Sequence, residues 1–477
     1  MELKFVAQGS RDVLEVVHEH NAKLEARFAD KLRVNFHLNR QLVSFQANKS
    51  KPGYRWFRYK EGFSETLVQY LLDVLGLESG RVLDPFAGVG TTLFAASERG
   101  LDAVGIELLP VGCEVMEVRK LTRSGDTDTL CSALDRWLRE QPWKHTRSSR
   151  PFAHLRITRQ AFPDETQQAL ERYLAALESE TEPVARLLRF AAMCVLEEIS
   201  YTRKDGQYLR WDARSGRRQG SKLFHKAYIA SFDEAITRKL GEIYVDLQPS
   251  GLLPGFFNML AQLGEIEILH GSCLDLLPTF ETASFDSLIT SPPYANRYDY
   301  TRTYALELAL LGVSEDEIRA LRQAMVSCTV ENRTKTGLTG LFSPGVFTRA
   351  SAAFADQEAL QTILKYLEWR KETKALNNAG IPRMVRNYFF ELALVIFESA
   401  RVLKPGATFV MINDNVRYGG VTIPVDLILS DFAEQAGFFT EAIWVLPTGK
   451  GNSSQQMGAH GREELRKCIY VWRRRSD

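Results

Sequence analysis

The segment Thr290-Ser291-Pro292-Pro293-Tyr294 closes an apolar run, FDSLIT, in this chain of 477 residues. Two successive prolines remove two backbone donors and fix an extended turn, so no strand ladder continues through them. They leave a rigid loop offering a hydroxyl, a carbonyl and an aromatic ring. That set suits methylation of an exocyclic amine on an aromatic ring, a weak nucleophile whose lone pair is delocalised. Hydrogen bonds accepted from the NH₂ group by Ser291 Oγ and the Pro292 carbonyl favour the tetrahedral nitrogen of the transition state. Tyr294 would stack on the ring. No covalent intermediate with the protein is required, and positioning can contribute up to roughly 7–11 kcal/mol.

A second cluster lies about 200 residues earlier. Asp84-Pro85-Phe86-Ala87-Gly88-Val89-Gly90-Thr91-Thr92 is a glycine-rich turn after the short apolar run RVLD. Glycines there let the backbone approach a ligand, and a following helix N-terminus presents free N–H groups. Glu107 ends the next apolar run, DAVGIEL, where a carboxylate can accept from ribose hydroxyls. The third glycine of the dinucleotide fingerprint is missing.

These motifs need elements to hold them. RVLD, the helix-like TTLFAASERG and DAVGIEL read as a βαβ unit, hence as part of a parallel sheet covered on both faces. Strand signals return at 265–269 and 285–290, then in ATFVMIND, FTEAIWVL and RKCIYVWRR. The turn LKPG (403–406) separates a helix at 387–402 from ATFVMIND, and another helix is expected at 424–436. Between the strand blocks the pattern is helical, with amphipathic stretches around 163–181 and 184–199. The expected fold is α/β: a Rossmann-like, mostly parallel sheet with an antiparallel C-terminal strand, interrupted by two helical insertions. Its divisions would be a basic and aromatic arm (1–58), a catalytic domain (59–120, 265–310 and 385–477) and insertions at 121–264 and 311–384.

Sixty Lys and Arg against 59 Asp and Glu give a net charge of +1, which argues against a uniformly basic protein. Counted locally, the charge segregates. Residues 31–60 hold eight basic side chains and no acid, with Phe36, Phe45, Tyr54, Trp56, Phe57 and Tyr59 interleaved. Residues 144–159 carry five and no acid; residues 201–226 carry eight against Asp205 and Asp212. Basic side chains neutralise phosphates, and aromatics stack on unpaired bases; the plainer alternative is solvated loops paired with acidic helices. Within 201–226 the candidate nucleic-acid contacts are Arg203, Lys204, Arg210, Arg214, Arg217, Arg218 and Lys222. The six cysteines are scattered, which argues against a disulfide framework or zinc site and makes a reducing cytosol the default. No metal site, signal peptide or membrane helix is expected.

Taken together, the two motifs make the chain resemble the S-adenosylmethionine-dependent DNA amino-methyltransferases, which modify cytosine N4 or adenine N6. The resemblance covers roughly 55–120, 265–300 and 387–477. It implies S-adenosylmethionine as cofactor, with its methionine portion on the glycine loop and its ribose on Glu107. It also implies that Tyr59-Lys-Glu-Gly-Phe63-Ser64 lies against the methionine end, although Ser64 is equally a helix N-cap. Gly271-Ser-Cys273-Leu-Asp275 resembles the loop beside the adenine. An acidic residue usually follows that glycine; Ser272 stands there, so the contact falls to Cys273, to Asp275 or to neither.

With the cofactor motif first, the analogy places target recognition in 121–264, where arginines can read guanine. A short neutral hydroxyl at Ser291 leans toward cytosine N4 over adenine N6. Double-stranded DNA is the expected partner, with the target base flipped out of the stack. No nuclease constellation stands out, so any restriction endonuclease would be a separate chain. An RNA amino-methyltransferase and a silent DNA-binding subunit are the competing readings.

Overall fold

A computed structural model of the chain describes residues 10–124, 126–205, 208–217, 223–248, 263–447 and 464–476. Twelve strands are present among them: β1 Leu32–Val34, β2 Arg81–Asp84, β3 Asp102–Glu107, β4 Thr202–Asp205, β5 Tyr208–Trp211 and β6 Ile266–His270, followed by β7 Phe285–Thr290, β8 Leu403–Asp414, β9 Val416–Tyr418, β10 Val421–Ile423, β11 Phe438–Val445 and β12 Lys467–Arg474. Eight of them form one sheet in the order β1-β11-β12-β8-β7-β2-β3-β6. All its pairings are parallel except those of β12, which runs against both β11 and β8. The expected parallel sheet with an antiparallel C-terminal strand is therefore present.

Side chains alternate across this sheet with period two and feed two cores. Leu83, Leu288, Phe409 and Met411 face the helices Ile381–Val402 and Val425–Ala436. Their neighbours Val82, Ile289, Val410 and Ile412 face the helices Glu65–Val74 and Thr91–Ser97. Burial on both faces explains why these strands read as near-continuous apolar runs.

The chain departs from β2 toward β3 and β6, then returns to the opposite side of β2 as β7. The order reverses between β2 and β7. Their carboxyl ends therefore open a crevice at the point where open α/β sheets bind ligands. Both motifs sit there.

Several expectations need correction. Residues 403–406 do not form a separating turn: β8 begins at Leu403, and its register with β7 shifts between Phe285 and Ser287, as a bulge shifts it. The window 201–226 contains an antiparallel hairpin, β4–β5, where a loop was expected. Within the expected arm 1–58, β1 joins the main sheet beside β11. Most aromatics of the 31–60 window are structural. Trp56, Phe57 and Tyr59 belong to the core of the first insertion, with Trp137, Trp143 and Tyr173. Trp56 Nε1 donates to Asp246 at 2.7 Å, and the Tyr54 ring packs under the Arg119 guanidinium at 3.8 Å. Phe36, at 83% exposure, is the exception.

Among the described residues no helix is long and apolar enough to cross a membrane, and no cluster of His, Cys, Asp and Glu could hold a metal. All six cysteines are free.

Candidate active site

A cavity of about 350 Å³ lies in the crevice at the carboxyl ends of β2, β3 and β7. Its wall begins at the turn after β2, where Pro85, Phe86, Ala87, Gly88 and Thr91 line it. Gly88 and Gly90 adopt φ of 56° and 77°, a left-handed region that suits glycine. A Cβ on Gly90 would stand 2.8 Å from Met116 Cγ, so the loop cannot carry a larger residue there without moving that side chain.

Glu107, at the end of β3, is fixed by the same turn. Gly88 N–H donates to Oε2 and Leu109 N–H to Oε1, each at 2.7 Å. Burial pushes its carboxyl up to about 7, against the opposing pull of those N–H groups. Two oxygens holding one donor each retain lone pairs for further donors.

Asp84 behaves differently from the expectation. It does not line the cavity. Its carboxyl lies beneath the floor, accepting from Thr290 Oγ1 at 2.5 Å and from Phe86 N–H at 3.0 Å, and burial raises it to about 6. Gly90 and Thr92 also stay below the surface, with Thr92 Oγ1 directed at the Ile289 carbonyl 3.3 Å away. These residues shape the loop and make no wall.

At the other end, Ser291, Pro292, Pro293 and Tyr294 all line the cavity. Ser291 Oγ donates to the Ile412 carbonyl at 3.0 Å and lies 3.3 Å from the Tyr294 hydroxyl. The serine proton is thereby directed at β8, leaving oxygen lone pairs to accept from an amine. Tyr418 on β9 donates to the Ala295 carbonyl at 2.6 Å, bracing the loop one residue beyond Tyr294. Burial keeps the Tyr294 hydroxyl protonated.

Of the remaining expected cofactor residues, Phe63 and Cys273 line the cavity, and Ser64 and Asp275 do not. Ser64 is a helix N-cap: its Oγ accepts from Leu67 N–H at 3.1 Å and donates to the Leu42 carbonyl at 2.7 Å. Asp275 is exposed on the helix Cys273–Leu276. Ser272 joins Cys273 in the wall, its hydroxyl held by the Ala324 carbonyl at 2.9 Å.

The sequence reading singled out neither Asp414 nor Lys467, and it included Tyr59 and Glu61 only as members of the segment Tyr59–Ser64, with no role of their own. Glu61 lines the cavity and accepts from both Tyr298 and Tyr304 hydroxyls. Tyr59 stacks on Tyr304 at 5.1 Å and places its ring 3.2 Å from where a Gly88 Cβ would be. Asp414 ends β8 and Lys467 begins the antiparallel β12, which brings them to one edge, 3.5 Å apart. Lys467 Nζ lies 5.9 Å from the Tyr294 ring centroid.

The basic hairpin is less available than its composition promised. Lys204 is buried against Glu307, with both side chains under 5% exposed. Arg214 is committed to Asp212 at 2.8 Å, and Arg217 folds over Trp211 while donating to the Ile157 and Arg156 carbonyls. Arg203 and Arg210 flank Phe224. Arg218 and Lys222 lie outside the described residues.

The donor set suits a sulfonium nucleoside. Glu107 offers acceptors for ribose hydroxyls, the glycine turn leaves room beneath Tyr59, and the cavity is continuous from Phe63 to Tyr294. Comparison with known proteins bears on the same point. The DNA methylase family of N6 and N4 enzymes matches residues 23–117. The chain is 51% identical to the type II methyltransferase M.AvaI of Nostoc sp., over 98% of this chain and 96% of that one.

The chain belongs to the N4/N6 family of type II DNA methyltransferases.

Type II methyltransferase M.BsoBI of Geobacillus stearothermophilus is 40% identical over 94% of this chain and 91% of its own. No solved structure matches significantly. As a DNA amino-methyltransferase, the protein uses S-adenosylmethionine as methyl donor. The family match ends within the helix Pro110–Ser124 that follows β3, whereas Ser291–Tyr294 lies far beyond it. The full-length relatives span both.

Proposed function

We propose that the protein methylates N4 of cytosine in duplex DNA, with Ser291, Pro292 and Tyr294 holding the flipped base. S-adenosylmethionine supplies an electrophilic methyl group when bound. The chain's own part is to hold the amine and exclude other geometries. Ser291 Oγ and the Pro292 carbonyl accept the two N–H groups, drawing the nitrogen out of conjugation so that its lone pair becomes available. Tyr294 supports the face of the base. Glu107 takes the ribose hydroxyls, and Phe63 and Cys273 enclose the remainder of the cofactor.

The observation that carries this reading is the Ser291 hydroxyl, directed at the Ile412 carbonyl 3.0 Å away. Its oxygen is thereby an acceptor, set on a side chain one atom shorter than a carboxylate or carboxamide. Such a short neutral acceptor favours the compact cytosine edge over the adenine amine. Recognition of the DNA word is assigned to 121–264, where Arg203 is exposed on the hairpin; a separate restriction endonuclease would complete the system. Long-read sequencing of DNA from cells expressing the protein tests the assignment. Modified cytosine in one recurrent context supports it, and modified adenine in such a context overturns it.

A further inference from the structure

Five basic side chains run along one face beside the catalytic loop, with no acidic partner among the described residues: Arg297, Arg333, Lys374, Arg383 and Arg386. Arg297 follows Asn296, a cavity residue, and its Nη1 lies 3.4 Å from Asn377 Oδ1. That contact brings the end of the second insertion to the lip of the cavity. Lys374, exposed, belongs to the same segment. Gly380 packs so closely on Val330 that a Cβ would stand 3.1 Å away, and Arg383 donates to the Val330 carbonyl at 2.8 Å. Arg386 is one helical turn beyond Arg383 and shares its exposed face. Thr334 Oγ1 meets Asn387 Oδ1 at 3.4 Å, which sets exposed Arg333 beside Arg386.

The nearby acids do not neutralise this row. Glu331 is taken by Arg302 and Glu391 by Lys335, leaving exposed Glu372 as the one acid of 370–386. Two members also sit in left-handed backbone unusual for side-chain-bearing residues, Arg297 at φ 65° and Lys374 at φ 56°. Arg297 Nε is buried without a hydrogen-bond partner. Like charges gathered without counter-charges repel one another, and an external polyanion relieves that repulsion while releasing its own counterions.

We propose that this face, formed by the second insertion, the start of the helix Ile381–Val402 and the catalytic loop, grips the phosphate backbone of duplex DNA beside the flipped base. The inference rests on the DNA methyltransferase reading and gives residues 311–384 a task. The division of labour is physical: the hairpin window spends most of its charge internally, whereas this row keeps its charge for a partner.

The test is a triple substitution, Arg333→Gln, Lys374→Gln and Arg386→Gln, at exposed positions with no internal bond to lose. Binding of a labelled duplex is followed across a range of salt concentrations. Each lost phosphate contact lowers the slope of log affinity against log salt by about 0.9, so the slope should fall by about two to three. Cofactor affinity should stay as in the wild type, showing an intact fold. A slope equal to the wild type's overturns the proposal. Wild-type protein without salt-dependent duplex binding would instead sink the DNA reading itself.

Discussion

Thr290 donates its hydroxyl to Asp84 at 2.5 Å, joining the ends of β7 and β2 across the switch point of the sheet. One bond thus ties the cofactor turn to the catalytic loop, since Asp84 precedes Pro85 and Thr290 precedes Ser291. Replacing Thr290 by valine keeps the shape and removes the donor, leaving the buried carboxyl short of a partner. Stability should drop by roughly 1–3 kcal/mol, read from denaturant midpoints, and kcat should fall with it. Unchanged values for both would mean the two motifs are positioned independently.

Ser291→Ala removes the side-chain acceptor and leaves the loop's prolines in place. Loss of one such contact at a reacting centre costs about 10²–10³ in kcat. Cofactor affinity should stay within a few-fold, measured by calorimetry on the same preparation. Tyr294→Phe should retain most activity because the ring does the stacking, whereas Tyr294→Ala should not.

Glu107 gives the cofactor site a pH dependence. Burial raises its carboxyl to about 7 in the free protein. Ribose hydroxyls that donate to it favour the ionised form, so they lower that value in the complex. Binding must then release a proton below pH 7. Affinity should rise with pH up to about 7 and level off above it. Glu107→Gln should bind more weakly and lose the rise below pH 7; a rise of the same size in that variant would remove Glu107 from the ribose.

Lys204 tests the corrected reading of the basic hairpin. Breaking its buried pair with Glu307 by Lys204→Met should cost about 3–5 kcal/mol, because the carboxylate is left uncompensated. Adding Glu307→Leu should restore much of the loss. Neither variant should alter the salt slope of DNA binding, whereas a phosphate contact would lower it.

What the sequence disclosed follows from where its signals are local. The strands β2, β3, β7 and β8 announced themselves because burial on both faces demands unbroken apolar runs. The two motifs were legible because prolines and glycines impose their backbone on contiguous residues. The wall opposite them was not, since it comes from distant segments: Glu61 depends on Tyr298 and Tyr304, and Asp414 meets Lys467 only because β12 runs antiparallel to β8. One rule would have found Asp414, which stands at the carboxyl end of a strand read correctly from the sequence. Charge counts misled for a related reason. A window's composition does not say which charges find partners, and Lys204, Arg214 and Arg217 found theirs within the fold. The row at Arg297, Arg333, Lys374 and Arg386 escaped notice because it is assembled from three separated segments.

Nucleoside mass spectrometry of duplex DNA incubated with the pure protein and S-adenosylmethionine tests the central claim most directly. The account predicts N4-methylcytosine from the wild type, formed about 10²–10³-fold more slowly by Ser291→Ala. N6-methyladenine as the product, or N4-methylcytosine formed equally well by Ser291→Ala, would contradict it.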